Sequence, residues 1–443
     1  MTKELRFTSA TGKAKRLPQL DQQQQEAPLV LLQQSGMESE KKTSPNAHDG
    51  VIVIGAGAAG LTAAYDLHRK NIPVQVLEAH PTEFGGRVRK LEGFADFPID
   101  AGGEWIHFHP RILSKIVDDP SFARNDHFEV KPYKFAPFYE FRGGKKWVLK
   151  YPRHEENEIV YKFTKGYTWH DFFQNFIAKS LDIQYGCVVQ SIDYSTARIT
   201  VKCRNGRVFF GSQVIVAVSL PILQDDDITF VPQLPPAKKK AIDNVPFGPG
   251  LKVFLEFSSQ FYHNNFGIQT KKHGERVFYN EMAFQRNPNK RNILAVYVYG
   301  DVALKYTHLG DDAIIQRLVE ELDGAYKGKA SRTYIKGFVQ NWTCSEPFIR
   351  GAFSSYRKGM KPMWTILQPV DKKIFFAGEH LPPNGADYGY VTGAALSGRN
   401  AATAVQCVQK GEKPPFLWKA WMVHVLGTVM FGFEQRLFFN DTD

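Results

Sequence analysis

The stretch VIVIGAGAAGLTAAYDLHRKNIPVQVLEA, residues 51–79, constrains this chain's fold more than any other. Its first four residues are all apolar, a run short enough for a strand buried on both faces. Gly55, Gly57 and Gly60 follow with the spacing G-x-G-x-x-G. Residues 61–70 read as a helix, residues 74–77 as a second strand, and that strand ends on Glu78. In a unit of this kind the first glycine makes the tight turn. The second lets the backbone approach a pyrophosphate, and the third lets the helix close on the sheet. The helix N-terminus then faces the phosphates, and the acid reaches a ribose hydroxyl. Three spaced glycines alone are a weak signal, equally read as a glycine-rich helix start. Strand, glycines, helix, strand and acid in that order make a dinucleotide clamp.

The residues that follow narrow the choice of dinucleotide. EFGGRV spans residues 83–88 and DAGGEWIH spans 100–107. Here the chain resembles the flavin-containing amine oxidase family, whose N-terminal part runs clamp, glutamate, GGR, then an acidic, glycine-rich segment with a tryptophan. The resemblance implies FAD, with Gly86 and Arg87 of the GGR at its phosphates. In one place the chain departs from the pattern. The family usually carries another arginine between the glutamate and the GGR, where this chain has Thr82 and Glu83.

Four later segments continue the resemblance in family order. Val189 in VVQSI matches a valine whose backbone touches the adenine, and Lys165-Gly166 stands where a pair of glycines is usual. Lys252, after NVPFGPGL, matches a lysine that reaches flavin N5 through a water. Its other reading is a surface lysine opening a strand. In NWTCSEPFIRGAFSSY, Trp342 opens the segment and Phe353 matches one wall of an aromatic cage before the flavin. Plain core packing is the other reading of both. Some members attach FAD to a cysteine next to that wall; Ala352 stands there, which implies non-covalent FAD. In KIFFAGEHLPPNGADYGYVTGAALSGRNAA, Gly378 and Glu379 match a grip on the flavin ribityl chain, and Tyr390 matches the second cage wall. A small-residue helix over residues 391–402 starts at Val391, its amide end toward the flavin, where reduction builds negative charge. Glu104 and His107 of GGEWIH are candidates for touching the substrate, or members of a capped loop.

The implied fold class is α/β, a Rossmann-like FAD-binding domain interleaved with a smaller α+β substrate domain. The FAD-binding parts are expected at residues 49–108, 166–247 and 341–410, and the substrate parts at 109–165 and 248–340. The first substrate part is short for the family, and residues 111–160 read as aromatic, charged and irregular. The implied reaction is hydride transfer from the carbon beside an amine to flavin N5, with reoxidation by oxygen to hydrogen peroxide. The partners are then a small amine and oxygen. Amino-acid oxidases hold the substrate carboxylate with an arginine where this chain has Trp105, which favours a plain amine. Two other readings stand: a flavin-dependent isomerase or desaturase of a lipid or polyene, and a non-catalytic FAD-binding scaffold.

Composition sets the outer limits. At 443 residues, 43% apolar and 23% charged, the chain is an ordinary globular protein too long for one simple core. The net charge of +11 includes Lys238-Lys239-Lys240 and KKHGER, residues 271–276, read as solvated lysines. No basic run is interleaved with aromatics, so no nucleic-acid partner is expected. Four cysteines without C-x-x-C spacing point to a reducing, intracellular compartment, cytoplasmic or organellar, and to no metal site. Residues 1–48, Gln-rich and then polar, read as a mostly disordered tail without a secretory signal. Residues 411–443 are apolar and aromatic, with Trp418 and Trp421. Their uncharged core is too short to cross a bilayer, and docking on the protein and peripheral membrane contact both remain open.

Overall fold

The computed structural model describes residues 6–8, 14–16, 50–107, 109–120, 122, 128–133, 137–142, 145–150, 160–270, 274–280, 291–355, 362–383 and 388–414. The apolar segment with Trp418 and Trp421 lies outside these residues, as does nearly all of the N-terminal tail. Within that tail, Arg6–Thr8 and Ala14–Arg16 pair as short antiparallel strands.

The clamp folds as strand β1 (Val51–Ile54), helix α1 (Ala58–Arg69) and strand β2 (Val74–Leu77). The helix begins three residues earlier than the apolar pattern suggests, because Ala58 follows the glycine turn directly and Gly60 is already helical. Further along come β3 (Val160–Thr164), α2 (Trp169–Phe176), β4 (Ile183–Gln184) and β5 (Gln213–Val216). The second half adds β6 (Gly250–Phe257), β7 (Asn292–Tyr299), β8 (Tyr334–Asn341), β9 (Ile374–Phe376) and α3 (Val391–Gln409). Helix α2 stops at Phe176 and is followed by a separate 3-10 turn at Ala178–Ser180. Helix α3 instead runs seven residues past the expected end at 402.

Strands β4, β2, β1, β5 and β9 form one parallel sheet in that order. All four side chains of β1 are at most 3% exposed, which explains a run with no polar alternation. At roughly 2 kcal/mol each, their burial is a main source of this layer's stability. Helices α1 and α3 cross on one face of the sheet. A Cβ on Gly398 would lie 1.9 Å from the Ala59 carbonyl oxygen, so only glycine permits this approach. Across the same junction Arg399 pairs with the buried Asp66.

A second, seven-stranded sheet is built around β8, β6 and β7 and continues through Gly274–Asn280 and Asn265–Thr270 to Phe138–Arg142 and Lys146–Lys150. The described residues between 111 and 160 therefore carry more regular structure than expected. They include a helix at Arg111–Val117, a strand at Glu129–Tyr133 that pairs with β3, and the last two strands of this sheet, of which Lys146–Lys150 is the edge. Phe138–Arg142 pairs in parallel with strand Asn265–Thr270, and Phe141 is buried in this sheet's core. Such order comes from pairing with distant chain, which local periodicity does not carry. A helix at Asp311–Tyr326 covers the sheet with Ile314, Leu318 and Leu322, one turn apart on one face. The α/β class and the interleaving of the two units are as expected. No described helix is long and apolar enough to cross a membrane.

One lysine of the basic run is not solvated. Lys238 is 3% exposed, and its Nζ donates to the carbonyls of Thr365, Ile366 and Gln368 at 2.6, 2.8 and 2.7 Å. These are orphan acceptors at the end of helix Pro362–Leu367. Burial pulls its pKa down to about 7, while three acceptors match the three N–H groups of the ammonium.

Candidate active site

Between the two sheets lies a cavity of about 780 Å³. Its wall includes every candidate cofactor and substrate residue read from the sequence except Gly60. Gly60 serves the fold: a Cβ there would lie 1.9 Å from the Gly55 carbonyl oxygen. Gly55 makes the turn with φ +101°, a conformation that side chains disfavour. Gly57 differs from both. Its backbone is ordinary, φ −75° and ψ 177°, and an added Cβ would meet only the Gly85 carbonyl, at 3.8 Å. The bare side of Gly57 thus opens on the cavity, at the start of a helix that no side chain caps. This is the cradle that a pyrophosphate requires.

At the end of β2, Glu78 accepts hydrogen bonds from the amides of Ala56 and His80 at 2.7 and 2.8 Å. Burial raises its pKa, and those two bonds oppose the rise. Val189, 6% exposed, lies on the wall beside a register shift in its strand. Arg87 donates to the Ala352 carbonyl at 2.8 Å and to Glu379 at 3.0 Å, and its guanidinium lies over the Phe247 ring. Glu379, beside Gly378, also accepts from Ser354 and from the Gly389 amide. Burial alone would raise its pKa; Arg87, His380 and the Ser354 hydroxyl lower it below its ordinary value. His380 behind it is buried, and burial pulls its pKa down to about 4.

Arg89 was not singled out in the sequence, although it stands two residues beyond the GGR arginine. It lines the cavity, pairs with Glu83 and Glu346, and lies over Trp342, which is 5% exposed. Glu83, in the place of the absent arginine, is thus part of an ion pair at this wall.

Lys252 is no surface lysine. It is 3% exposed, and its Nζ donates to Glu104 at 2.5 Å and to the Asp100 carbonyl at 2.7 Å. Burial pushes the Asp100 carboxyl well above its usual range. Lys162 on β3 pairs with the other oxygen of Glu104 and lies 4.9 Å from the Trp105 ring. This second buried lysine was also missed; its signal was a cation inside the apolar strand VYKFT.

The aromatic residues form two groups on the wall. His107 stacks on Tyr390 with centroids 3.7 Å apart and 8° between planes. Phe353 lies 5.7 Å from Tyr299 and 6.4 Å from Tyr297. The two tyrosines were not expected, but their i, i+2 spacing in NILAVYVY already puts them on one face of β7. Val391 is the first residue of α3, whose N-terminus likewise has no side-chain cap.

Comparison with known proteins agrees with this geometry. Residues 172–406 match the family model of flavin containing amine oxidoreductase, and residues 53–119 match that of an NAD(P)-binding Rossmann-like domain. Lysine-specific histone demethylase 2 of Homo sapiens is 24% identical over 451 residues, covering 80% of this chain and 53% of that protein. Polyamine oxidase 1 of Zea mays is 28% identical over 235 residues, covering 52% of this chain and 46% of that protein. The chain spans about half the length of the curated relatives it matches. A putrescine oxidase double mutant redesigned in cofactor binding superposes with a TM-score of 0.65 at 15% identity, over 81% of this chain and 99% of that chain. With a dinucleotide cradle, an interleaved second sheet and a family match over more than half its length, this chain belongs to the flavin containing amine oxidoreductase family, and its cofactor is FAD.

Proposed function

We propose that the protein is an FAD-dependent amine oxidase that takes a small amine and oxygen and gives an imine, hydrolysed to an aldehyde, and hydrogen peroxide. The observation that carries this reading is the buried Lys252, fixed by Glu104 on a cavity wall that also bears Phe353 and the His107–Tyr390 stack. FAD, when bound, supplies the two-electron acceptor for the hydride of the amine α-carbon and passes those electrons to oxygen. The chain does the rest. Gly55, Gly57, Gly86 and Arg87 hold the phosphates, Glu78 a ribose hydroxyl, and Val189 the adenine end. Trp342, Gly378, Glu379 and Val391 bound the flavin end. Phe353 and Tyr390 present aromatic faces that attract an ammonium on approach and then seat the neutral amine. Glu104 and His107 complete that wall. With Ala352 beside Phe353, FAD is held without a covalent bond, so acid precipitation should release all of it into the supernatant.

The names of the relatives supply the test panel: putrescine, a longer polyamine and a methylated-lysine peptide, together with aryl and alkyl monoamines. The purified holoprotein is mixed with each amine without oxygen and its visible spectrum followed. Bleaching of the flavin bands, with peroxide formed once oxygen is admitted, is the expected result. Flavin bands that no amine bleaches would refute the amine oxidase reading.

A further inference from the structure

We propose that the hairpin formed by Ile199–Cys203 and Val208–Gly211 is a docking surface for an acidic lipid bilayer. Val208 and Phe210 enter the headgroup layer, and the hairpin's cations meet the lipid phosphates. The inference does not depend on the reaction assigned above.

The register brings these groups together. Val208 stands opposite Lys202 and Phe210 opposite Thr200, so the four share one face of the hairpin. The other face carries Ile199, Val201 and Cys203, all buried. On the outward face Val208 is 43% and Phe210 47% exposed, and Lys202 is exposed beside them. One exposed apolar residue alone would be ordinary surface. Here two stand next to each other among cations, on the edge strand of a four-stranded sheet. Residues 198–211 hold Arg198, Lys202, Arg204 and Arg207 and no acid. The Arg198 guanidinium lies over the Phe210 ring at 4.3 Å and that of Arg207 over Phe209 at 5.9 Å. Such side chains cover apolar surface and keep the charged head at its rim. Two acids lie near. Asp193, opposite Thr200 on the next strand, accepts from the Ser195 amide and hydroxyl at 3.0 and 2.6 Å. Asp227 is 3.8 Å from Arg204. An acidic bilayer offers apolar depth and phosphate in one plane, which a dissolved polyanion does not.

A second observation points to the same surface. Gln409, the last residue of α3, donates to Gln213 at 2.9 Å, two residues beyond the hairpin. The chain therefore leaves α3 at the foot of the hairpin, and the sequence that follows holds Phe416, Trp418 and Trp421. Tryptophan is a residue of membrane interfaces.

The test is co-sedimentation of the full-length holoprotein with vesicles of phosphatidylcholine, alone or mixed with phosphatidylserine. No amine is needed, so the result stands whatever the protein oxidises. Wild type should partition at least about tenfold better onto the mixed vesicles, and high salt should remove that preference. The double change Val208→Ser with Phe210→Ser should lower partitioning about tenfold. Lys202→Glu should lower it about fivefold or more. Bound flavin absorbance should be unchanged in each, which shows that the fold is intact. Phe210→Gln alone covers the case in which the serine pair fails to fold. Wild type that ignores the mixed vesicles overturns the proposal. Hairpin variants that bind like wild type also overturn it, because another surface then carries the contact. A loss with Lys202→Glu but not with the serine or glutamine changes marks a dissolved polyanion as the partner and overturns the lipid assignment.

Discussion

Gly57 gives the sharpest test of the cofactor site, because folding and binding separate there. Its backbone angles, φ −75° and ψ 177°, suit any residue, and an added Cβ has one neighbour, 3.8 Å away. Gly57→Val should therefore change the stability of the FAD-free protein by no more than about 0.5 kcal/mol. The new methyl groups project into the cavity where a pyrophosphate must meet the helix amides. Crowding into fixed backbone costs about 1–3 kcal/mol, and losing a charge-assisted hydrogen bond costs a further 1.5–3 kcal/mol or so. Together these come to about 4 kcal/mol, or roughly a thousandfold in Kd. The assay is thermal unfolding with and without FAD. At FAD a thousand times the wild-type Kd, binding adds about 4.1 kcal/mol to wild type. The variant, then near half saturation, gains only about 0.4 kcal/mol. Gly60→Ala is the contrasting control: its Cβ falls 1.9 Å from the Gly55 carbonyl oxygen, so the fold itself should fail. A Gly57→Val protein that stays yellow through gel filtration, with a wild-type thermal shift, would refute the placement of the pyrophosphate.

Three further outcomes are expected. Lys252→Met should leave FAD bound but slow flavin reduction or reoxidation at least about tenfold in stopped flow; unchanged traces would remove its role. His380 has its pKa lowered to about 4, so the unfolded chain binds its proton first as pH falls. Stability should drop by about 3 kcal/mol between about pH 6.5 and 4, and Glu379, with its lowered pKa, adds to the loss below its unfolded value. His380→Leu should flatten the upper part of that limb in a pH series of thermal midpoints. Lys238→Met strands three carbonyls at a helix end and should cost about 3 kcal/mol in denaturant unfolding, with FAD affinity little changed.

Much of the fold was legible where chemistry and local pattern coincide. The clamp declares itself because a buried strand, a glycine turn and an acid must occur in that order. The hairpin between Ile199–Cys203 and Val208–Gly211 turns at Asn205-Gly206, a pair suited to tight hairpin turns, and its glycine has φ +83°. What stayed hidden depends on distant partners. The strand Phe138–Arg142 has no strong alternation of its own and is ordered by a parallel neighbour more than a hundred residues on. Lys238 looked like any other lysine and Lys162 showed only as a cation in an apolar strand, since the fold alone shows that one meets a helix end and the other a buried carboxylate. The ring pairing also eluded the sequence, which matched Phe353 and Tyr390 as opposing walls without showing that Tyr390 would stack on His107.

The crossing of α1 and α3 at Ala59 and Gly398 also bears on how the protein is made. Synthesis delivers β1, α1 and β2 early, yet β1 lacks β5 until residue 216 exists, and α1 lacks its covering helix until residue 398 exists. The first apolar strand and helix must therefore wait with their inner faces uncovered until those later segments emerge. Pairing over such separations is slow, and exposed strand edges invite aggregation meanwhile. A nascent chain stalled before residue 398 should thus depend on chaperones and stay colourless in FAD, and the cradle should close only when the last third of the fold arrives.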